Sequence, residues 1–559
     1  MKHVLPTLFL ATMAVAAPSS RLIDAPASQA GEAYWPDQAS GDCPFAKSGS
    51  LPGITFTGRH AAYTHADTWY PSWAEDGNLY SPWTDGEVNG LRSSSGGKGA
   101  VTGHATIIGS DPLKLEVINQ GVYPSDPSPY TGRYPCGSLV FGGVWYYGTY
   151  CLHPSGSVTR DGTAYNWPWL GPFVGFRYST DLGKTWTQTP CTPAKPLFGE
   201  HALNGEPVKI GSPHFVDFGK NMQHSPDGKA YLVAHGASDG TKRRYGYNSW
   251  ITGDEIYLLR VTPGIENMND ASKYEFFDGT GWTHDFARIK PIAAWRDHMG
   301  CVTMTYNAPL KKYLMCVTDG GNTTGKYTSY ILESDHITGP FKRVQYLRHF
   351  GEQAYFLNIP SKFISADGRK LWLCYAANFW QGKLAAKPAG SQYAMCLQEL
   401  RLSGPDDPPP APNPLASADN IAPDAVVTVS STHPDYSANG AVDGVVGGFP
   451  GAISREWASH GEGATAMLRL TWNNEQAVDR VILFDRPNSL DQITGGMLIF
   501  SDGTTLPVGP FPDDAKQGME LIFPAKKIKW IIFAVTDVKP GNANIGLSEI
   551  GVFRAAPVP

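Results

Sequence analysis

The sequence predicts an all-β protein, a β-propeller followed by a β-sandwich. Three observations carry that expectation. Of 559 residues, 17% are charged and 12% aromatic, with 61 Gly and 45 Pro, a mix suited to short strands, many turns and broad aromatic surfaces. Between about residues 53 and 402, short apolar or aromatic runs alternate with Gly, Pro, Asn and Asp turns, and no long amphipathic helix interrupts them. A proline-rich break then leads into a second strand pattern. A chain of this length exceeds one ordinary core, so at least two domains are expected.

The chain opens MKHVLPTLFLATMAVAAPSS. An early Lys, an apolar run and a small-residue Ala-Val-Ala end read as a signal peptide over residues 1–17. The mature protein is therefore expected to be secreted, soluble, extracellular and monomeric, and no other stretch is long enough to span a bilayer. Residues 18–50, rich in Ala, Ser, Gly and Pro, read as an irregular lead-in. Eight cysteines lie between Cys43 and Cys396. In an exported chain an even number suggests disulfides, with Cys301–Cys316, Cys374–Cys396, Cys136–Cys151 and Cys43–Cys191 as candidate pairs and free buried cysteines as the alternative. None has zinc spacing. Asn322-Thr323-Thr324 is a glycosylation sequon, marking a glycoprotein. The net charge of −6, with no long basic run, speaks against nucleic acid and anionic membrane as partners.

Residues 51–402 carry the propeller pattern. Its strands include SLVFGGVWYYGTYCL (138–152), KAYLVAHGA (229–237), EIYLLRV (255–261), KYLMCVT (312–318) and KLWLCYAAN (370–378). Ser179–Trp186 matches the Asp-box, S-x-D-x-G-x-T-W, a hairpin of sialidase-like propellers in which Asp and Gly shape the turn and Trp packs between strands. Leu332-Glu333-Ser334, followed by Thr338-Gly339-Pro340-Phe341, looks like a strand-turn of five-bladed glycosidase propellers. About 350 residues supply five blades. The segment 403–422 is a stiff proline-rich linker. Residues 423–559 resemble the discoidin, or factor 5/8 type C, jelly-roll family at Ala441–Gly444, Trp457–Ser459, Asp485-Arg486, Phe500–Gly503 and Gly546–Ile550. The resemblance implies a β-sandwich and leaves open whether it binds sugar.

Residues 63–86, YTHADTWYPSWAEDGNLYSPWTDG, concentrate aromatics and carboxylates. Aromatic faces suit sugar rings, and paired carboxylates suit acid/base work on a glycosidic bond. The same residues also fit a Trp-rich core strand with turn acids. The run ADTWYPSWAEDGNLYSPWTDG resembles the opening of secreted propellers in domain-of-unknown-function family 4185. The likeness continues through Gly175–Trp186, Pro213–Asn221, Ile256–Val261, Tyr274–Gly279, Tyr306-Asn307 and Gly339–Phe341. It implies a five-bladed propeller whose central pocket handles sugars, in a family that includes endo-D-arabinanases. Thr84 stands where the family motif has Gly.

Asp67 and Asp85 fall on the two motif aspartates and are the expected catalytic pair. Glu75 and Asp76 read as turn residues. Glu206, Glu255 and Glu333 are further candidate acids. Trp69, Trp73 and Trp83 are candidate stacking surfaces, and His104, His214, Lys220, Asn221 and Arg260 candidate substrate contacts. The expected function is hydrolysis of glycosidic bonds in a plant or microbial cell-wall polysaccharide of arabinan or related type. One alternative is a polysaccharide lyase acting on uronate glycans, with a His, Tyr or Lys base and a stabilising cation. The other is a non-catalytic lectin. No metal motif is present and no cofactor is required, though the sequence leaves room for calcium on the propeller axis.

Overall fold

The computed structural model describes residues 18–25, 33–35, 37, 39–154, 157–160, 163–239, 245–321, 325–378, 388–407, 415, 419–451, 453–512 and 515–555. The residues of the proposed signal peptide and the Asn322 sequon lie outside these. The chain divides into two units, Gly31–Pro408 and a second that joins Met1–Ala30 to Pro409–Pro559.

The first unit is a five-bladed β-propeller. Blade 1 runs outward from His65–Asp67 and Ser72–Trp73 through Leu79–Val88 and Val101–Ile108 to Glu116–Pro124. Blade 2 is Gly132–Phe141, Val144–His153 and Trp169–Ser179. Blade 3 begins at His214–Phe215 and continues with Ala230–Gly236, Glu255–Val261 and Glu275–Phe277. Blade 4 is Val302–Asn307, Lys312–Asp319, Thr328–Ser334 and Lys342–Leu347. Blade 5 is Tyr355–Asn358, Lys370–Ala376 and Met395–Leu402, flanked on its outer side by Ile54–Tyr63 from the start of the unit.

Hydrogen bonds near the inner strands stitch each blade to the next. The Ser72 hydroxyl accepts from Val140 N (2.9 Å), and Gly137 N donates to Pro213 O (2.8 Å). Asp217 N donates to Met304 O (2.9 Å), and the Thr303 hydroxyl to Leu357 O (2.6 Å). Asn358 Nδ2 closes the ring on Trp69 O (2.9 Å). These bonds satisfy buried inner-strand polar groups. Apolar side chains fill the spaces between the sheets.

The Asp-box folds as its residue types dictate. The Ser179 hydroxyl donates to Asp181 Oδ1 (2.7 Å), and Asp181 accepts from Thr185 N (2.8 Å) and the Thr185 hydroxyl (2.6 Å). Trp186 packs at a tilt against Trp145 and edgewise against Tyr147. Asp227 and Asp367 likewise bond the backbone two residues on, at Lys229 and Arg369.

The expected disulfides are absent: all eight cysteines are free thiols. Register is the reason. Cys316 lies opposite Thr303, two residues from Cys301. Cys374 faces Leu397 while Cys396 faces Tyr375, so the two thiols point to opposite sides of the sheet. Cys151 lies opposite Arg133 rather than Cys136. Cys43 bonds to Arg343 of blade 4 and has no Cys191 beside it.

The second unit is a β-sandwich. Two long bent strands, Met467–Asp485 and Gln517–Val538, pair with each other and with Ile493–Phe500, Gly546–Arg554 and Val426–Val429. Its core is built on Trp457, Trp472, Leu483, Phe500, Ile531 and Phe533. Inside it, the Arg486 guanidinium is bonded to Glu456 (3.1 Å) and Asp491 (2.5 Å). The expectation of an irregular segment over 18–50 fails at Ser19–Asp24. This strand pairs antiparallel with Gln517–Ile522, and Arg21 forms an ion pair with Glu520. Its partner lies some five hundred residues downstream, where no local pattern could point to it.

Candidate active site

Asp67 ends the first stretch of blade 1's inner strand, opposite Thr84 on the next strand, and Asp85 follows Thr84. Local structure fixes both. After Asp67 the backbone turns through a positive φ of 60° at Thr68, and the Trp69 indole pins the kink by donating to Ala66 O (2.9 Å). Asp85 itself has φ of 45°, a left-handed conformation that Asp tolerates better than most residues. Its Oδ1 accepts from Ser95 N at 2.6 Å. Gly86 is required by proximity: a Cβ there would meet His65 O at 2.0 Å. The Asp-Gly pair therefore serves strand contact inside a blade, not an exposed turn.

Tyrosines surround the pair. Tyr355, first residue of blade 5's inner strand, donates its hydroxyl to Asp67 Oδ2 at 2.9 Å. Tyr393 donates to Asp85 O at 2.6 Å, and its hydroxyl also bears on the Asp67 carboxyl. Tyr134, on blade 2's inner strand, and Tyr150 lie within electrostatic reach. Asp67 is 4% exposed, whereas Asp85 and Tyr393 are partly exposed, so the pair meets solvent on the Asp85 side.

Burial, then the neighbouring Asp85 charge, holds the Asp67 carboxyl well above the usual carboxylate range, against hydrogen bonds from Tyr355, Tyr393 and Thr68 that pull it down. Burial lifts Asp85 to about 6, opposed by the Ser95 N–H and the Thr84 hydroxyl. Asp85 keeps some exposed surface, but the packing around its carboxyl is dense enough to desolvate it. The two titrate as a pair, one strongly proton-retaining and the other poised near neutrality. Among the described residues, no Lys, Arg or His is prominent among the groups acting on either carboxyl.

The other candidates go elsewhere. Trp69 and Trp83 are 1% and 0% exposed, and Trp73 packs against the same core, so they support blade 1 from inside and offer no stacking face at the pair. His104 accepts from Trp186 Nε1 (3.1 Å) between blades 1 and 2, and burial holds its imidazole down at about 3. Arg260 bonds Glu275 and lies over Trp282 in the outer part of blade 3. Lys220 and Asn221 form a short 3₁₀ turn after the inner strand of blade 3, where Asn221 Oδ1 accepts from Gly142 N (3.0 Å). Glu206 is exposed and bonds its own turn at Asn204. Glu255 accepts from the Tyr257 hydroxyl at the start of blade 3's third strand. Glu333 is buried on Ser48, Ser50 and Lys312. Glu75 is exposed, and Asp76 bonds Asn78 and Tyr80 in a turn.

His214 lies among inner-strand residues but is not among the groups acting on the pair. It packs on Tyr70, ring centroids 4.1 Å apart, and lines a cavity of about 40 Å³ with Ser138, Thr303, Thr305 and Asn358. That space suits one or two waters. Burial holds His214 neutral, at about 3. Among the described residues no group of three His, Cys, Asp or Glu side chains could hold a metal ion.

The sequence reading missed Tyr134, Tyr355 and Tyr393. Each stands in a local context without a motif; Tyr134 reaches the pair from the neighbouring blade 2, and Tyr355 and Tyr393 only through ring closure. A position within the first three residues of an inner strand, shared with Asp67, is the available signal for Tyr134 and Tyr355.

A family model described as Domain of unknown function (DUF7402) matches residues 420–553. No curated protein matches the sequence. A solved glycoside hydrolase aligns over 88% of this chain and 99% of its own at 11% identity, with a TM-score of 0.30. The lectin domain of lectinolysin, complexed with Lewis B antigen, aligns over 24% of this chain and 97% of its own at 22% identity and a TM-score of 0.22. A Streptococcus pneumoniae fucose binding module covers 24% of this chain and 98% of its own, with 16% identity and a TM-score of 0.21. The matched family thus lies in the sandwich, and the likeness of residues 55–378 to family 4185 stays a reading of motifs.

Proposed function

We propose that this protein is a secreted glycoside hydrolase and that Asp67 and Asp85 cleave the glycosidic bond. The observation that carries the reading is the pair itself: two desolvated carboxyls on adjacent strands at the propeller axis, shifted to different degrees and ringed by tyrosines. Asp67, held protonated by burial and by the Asp85 charge, is the general acid that protonates the leaving oxygen. Asp85, ionised above about pH 6, is the nucleophile or the base that activates water. The tyrosine hydroxyls and ring faces suit neutral sugar hydroxyls and C–H faces. The motif resemblance to family 4185 points to an arabinan-type polymer.

The surroundings favour a neutral glycan over a uronate. β-Elimination needs a cation against the substrate carboxylate, and none of the described cations is prominent at the pair. Incubation with arabinans, arabinogalactans, gums and uronate-rich polymers, with products read by mass spectrometry, tests the proposal. Saturated oligosaccharides with new reducing ends support it. Unsaturated uronate products mean a lyase, and binding without products means a lectin. Full activity in Asp67→Asn or Asp85→Asn would remove the pair from the mechanism.

A further inference from the structure

Arg177 sits on the third strand of blade 2, opposite Tyr147, and is 3% exposed. Its guanidinium carbon lies 3.7 Å from the ring centre of Tyr147, 4.9 Å from Tyr123 and 5.0 Å from Trp186. Tyr123 belongs to the outer strand of blade 1, and the Tyr147 hydroxyl donates to Gly103 O of the same blade (2.9 Å). The cage therefore spans the seam between blades 1 and 2.

Aromatic rings can shield the faces of a guanidinium but cannot satisfy its N–H edge. Nε and Nη2, the two donors of one edge, are buried and have no hydrogen-bond partner among the described residues. No carboxylate is prominent among the groups acting on this cation, which are Tyr147, whose hydroxyl is the one weak hydrogen-bonding group that bears on it, Arg133 and Tyr123. Arg133 is a second guanidinium in the seam. It bonds neutral oxygens, Nε to the Thr149 hydroxyl (2.9 Å) and Nη1 to Asp126 O (3.3 Å), with the exposed Asp126 carboxylate acting on it from farther away. The seam thus brings two guanidinium charges together, one of them buried with a two-donor edge that no carboxylate pairs, an arrangement that favours a negative partner.

We propose that the Nε/Nη2 edge of Arg177 binds a small oxyanion, of the sulfate, phosphate or carboxylate class, in the seam between blades 1 and 2. Two parallel N–H groups match two oxygens of such an ion, which a lysine at the same place could not do. Arg133 adds a second positive charge, and the rings exclude competing water. The ion locks blade 2 to the blade that carries Asp67 and Asp85. The proposal is independent of what those two residues do.

The test is thermal unfolding of the full chain over rising sulfate, phosphate and acetate, each against chloride at matched ionic strength. A ligand of the native state raises the midpoint with the logarithm of its concentration. The expected result is such a rise for at least one oxyanion in the wild type and a flat response in Arg177→Gln. Equal slopes in the two proteins, or no oxyanion effect in the wild type, would overturn the site. Should Arg177→Gln fail to fold, selenate soaked into wild-type crystals decides. An anomalous peak facing Nε and Nη2 supports the site, and water alone at that edge sinks it.

Discussion

The Tyr355 hydroxyl donates a 2.9 Å hydrogen bond to Oδ2 of Asp67, joining the first residue of blade 5's inner strand to the inner strand of blade 1. That bond pulls the Asp67 carboxyl down against the burial that lifts it. Its removal in Tyr355→Phe lets the acid hold its proton more tightly and loosens its aim. The expected outcome is a kcat reduced about 10-fold with KM little changed, and an alkaline limb of the pH–rate profile moved upward. A purely structural role for Tyr355 would lower the folded fraction and leave the limb in place.

The activity profile should be bell-shaped, with the acid limb near the value of about 6 to which Asp85 is lifted. The apparent constants belong to the pair. Asp85→Asn should lower kcat/KM by about 1,000-fold or more and abolish the acid limb.

The same residue makes a stability prediction. Its folded value is raised from 3.8 to about 6, so the fold favours the protonated form. That contribution is fully present below 3.8 and is lost as pH rises through about 6. Asp85→Asn should therefore stabilise the propeller by ~1–2 kcal/mol at pH ~7 and by nothing measurable at pH ~4. Urea unfolding at the two pH values checks the sign. Equal gains at both would mean that charge burial is not the cause.

Gly103 packs under the Trp83 indole, and a Cβ there would lie 2.1 Å from Cε2. Gly103→Ala should destabilise the propeller by ~1–3 kcal/mol through overpacking. A urea midpoint that matches wild type would show that the indole can slide aside.

Glu333 accepts from Ser48 (2.8 Å) and Ser50 (3.1 Å), with the Lys312 ammonium 2.9 Å away. Glu333→Gln should cost ~1–3 kcal/mol of stability while kcat/KM per folded molecule stays unchanged. A large activity loss at full stability would restore it as a catalytic acid.

The sequence made the architecture and the two aspartates legible, because strand punctuation, the Asp-box and the Asp67–Asp85 motif are local. Residues 65–67 and 84–87 meet through one short connection, so their pairing could be read from spacing. What surrounds the pair could not. Tyr355 and Tyr393 come from the last blade, and only closure of the ring delivers them. The tryptophans show the complementary failure. Composition flags Trp69 and Trp83, but the kink at Thr68 and the bare face of Gly103 decide that both indoles point into the core. The Cys374–Cys396 pair failed on register, where a shift of one residue moves a thiol to the other face of the sheet.

The pairing of Ile54–Tyr63 with Met395–Leu402 sets a timetable. The first long strand of the propeller is the outer neighbour of the last. As the chain is synthesised, that strand pairs only with the two-residue strand Ala33–Tyr34 until more than three hundred further residues have emerged. A fragment that stops short of residue 395 leaves the Lys370–Ala376 edge open, offering its free N–H and C=O groups to any other chain nearby. Ring assembly is thus all-or-none, and incomplete products are marked for aggregation or clearance rather than for partial activity.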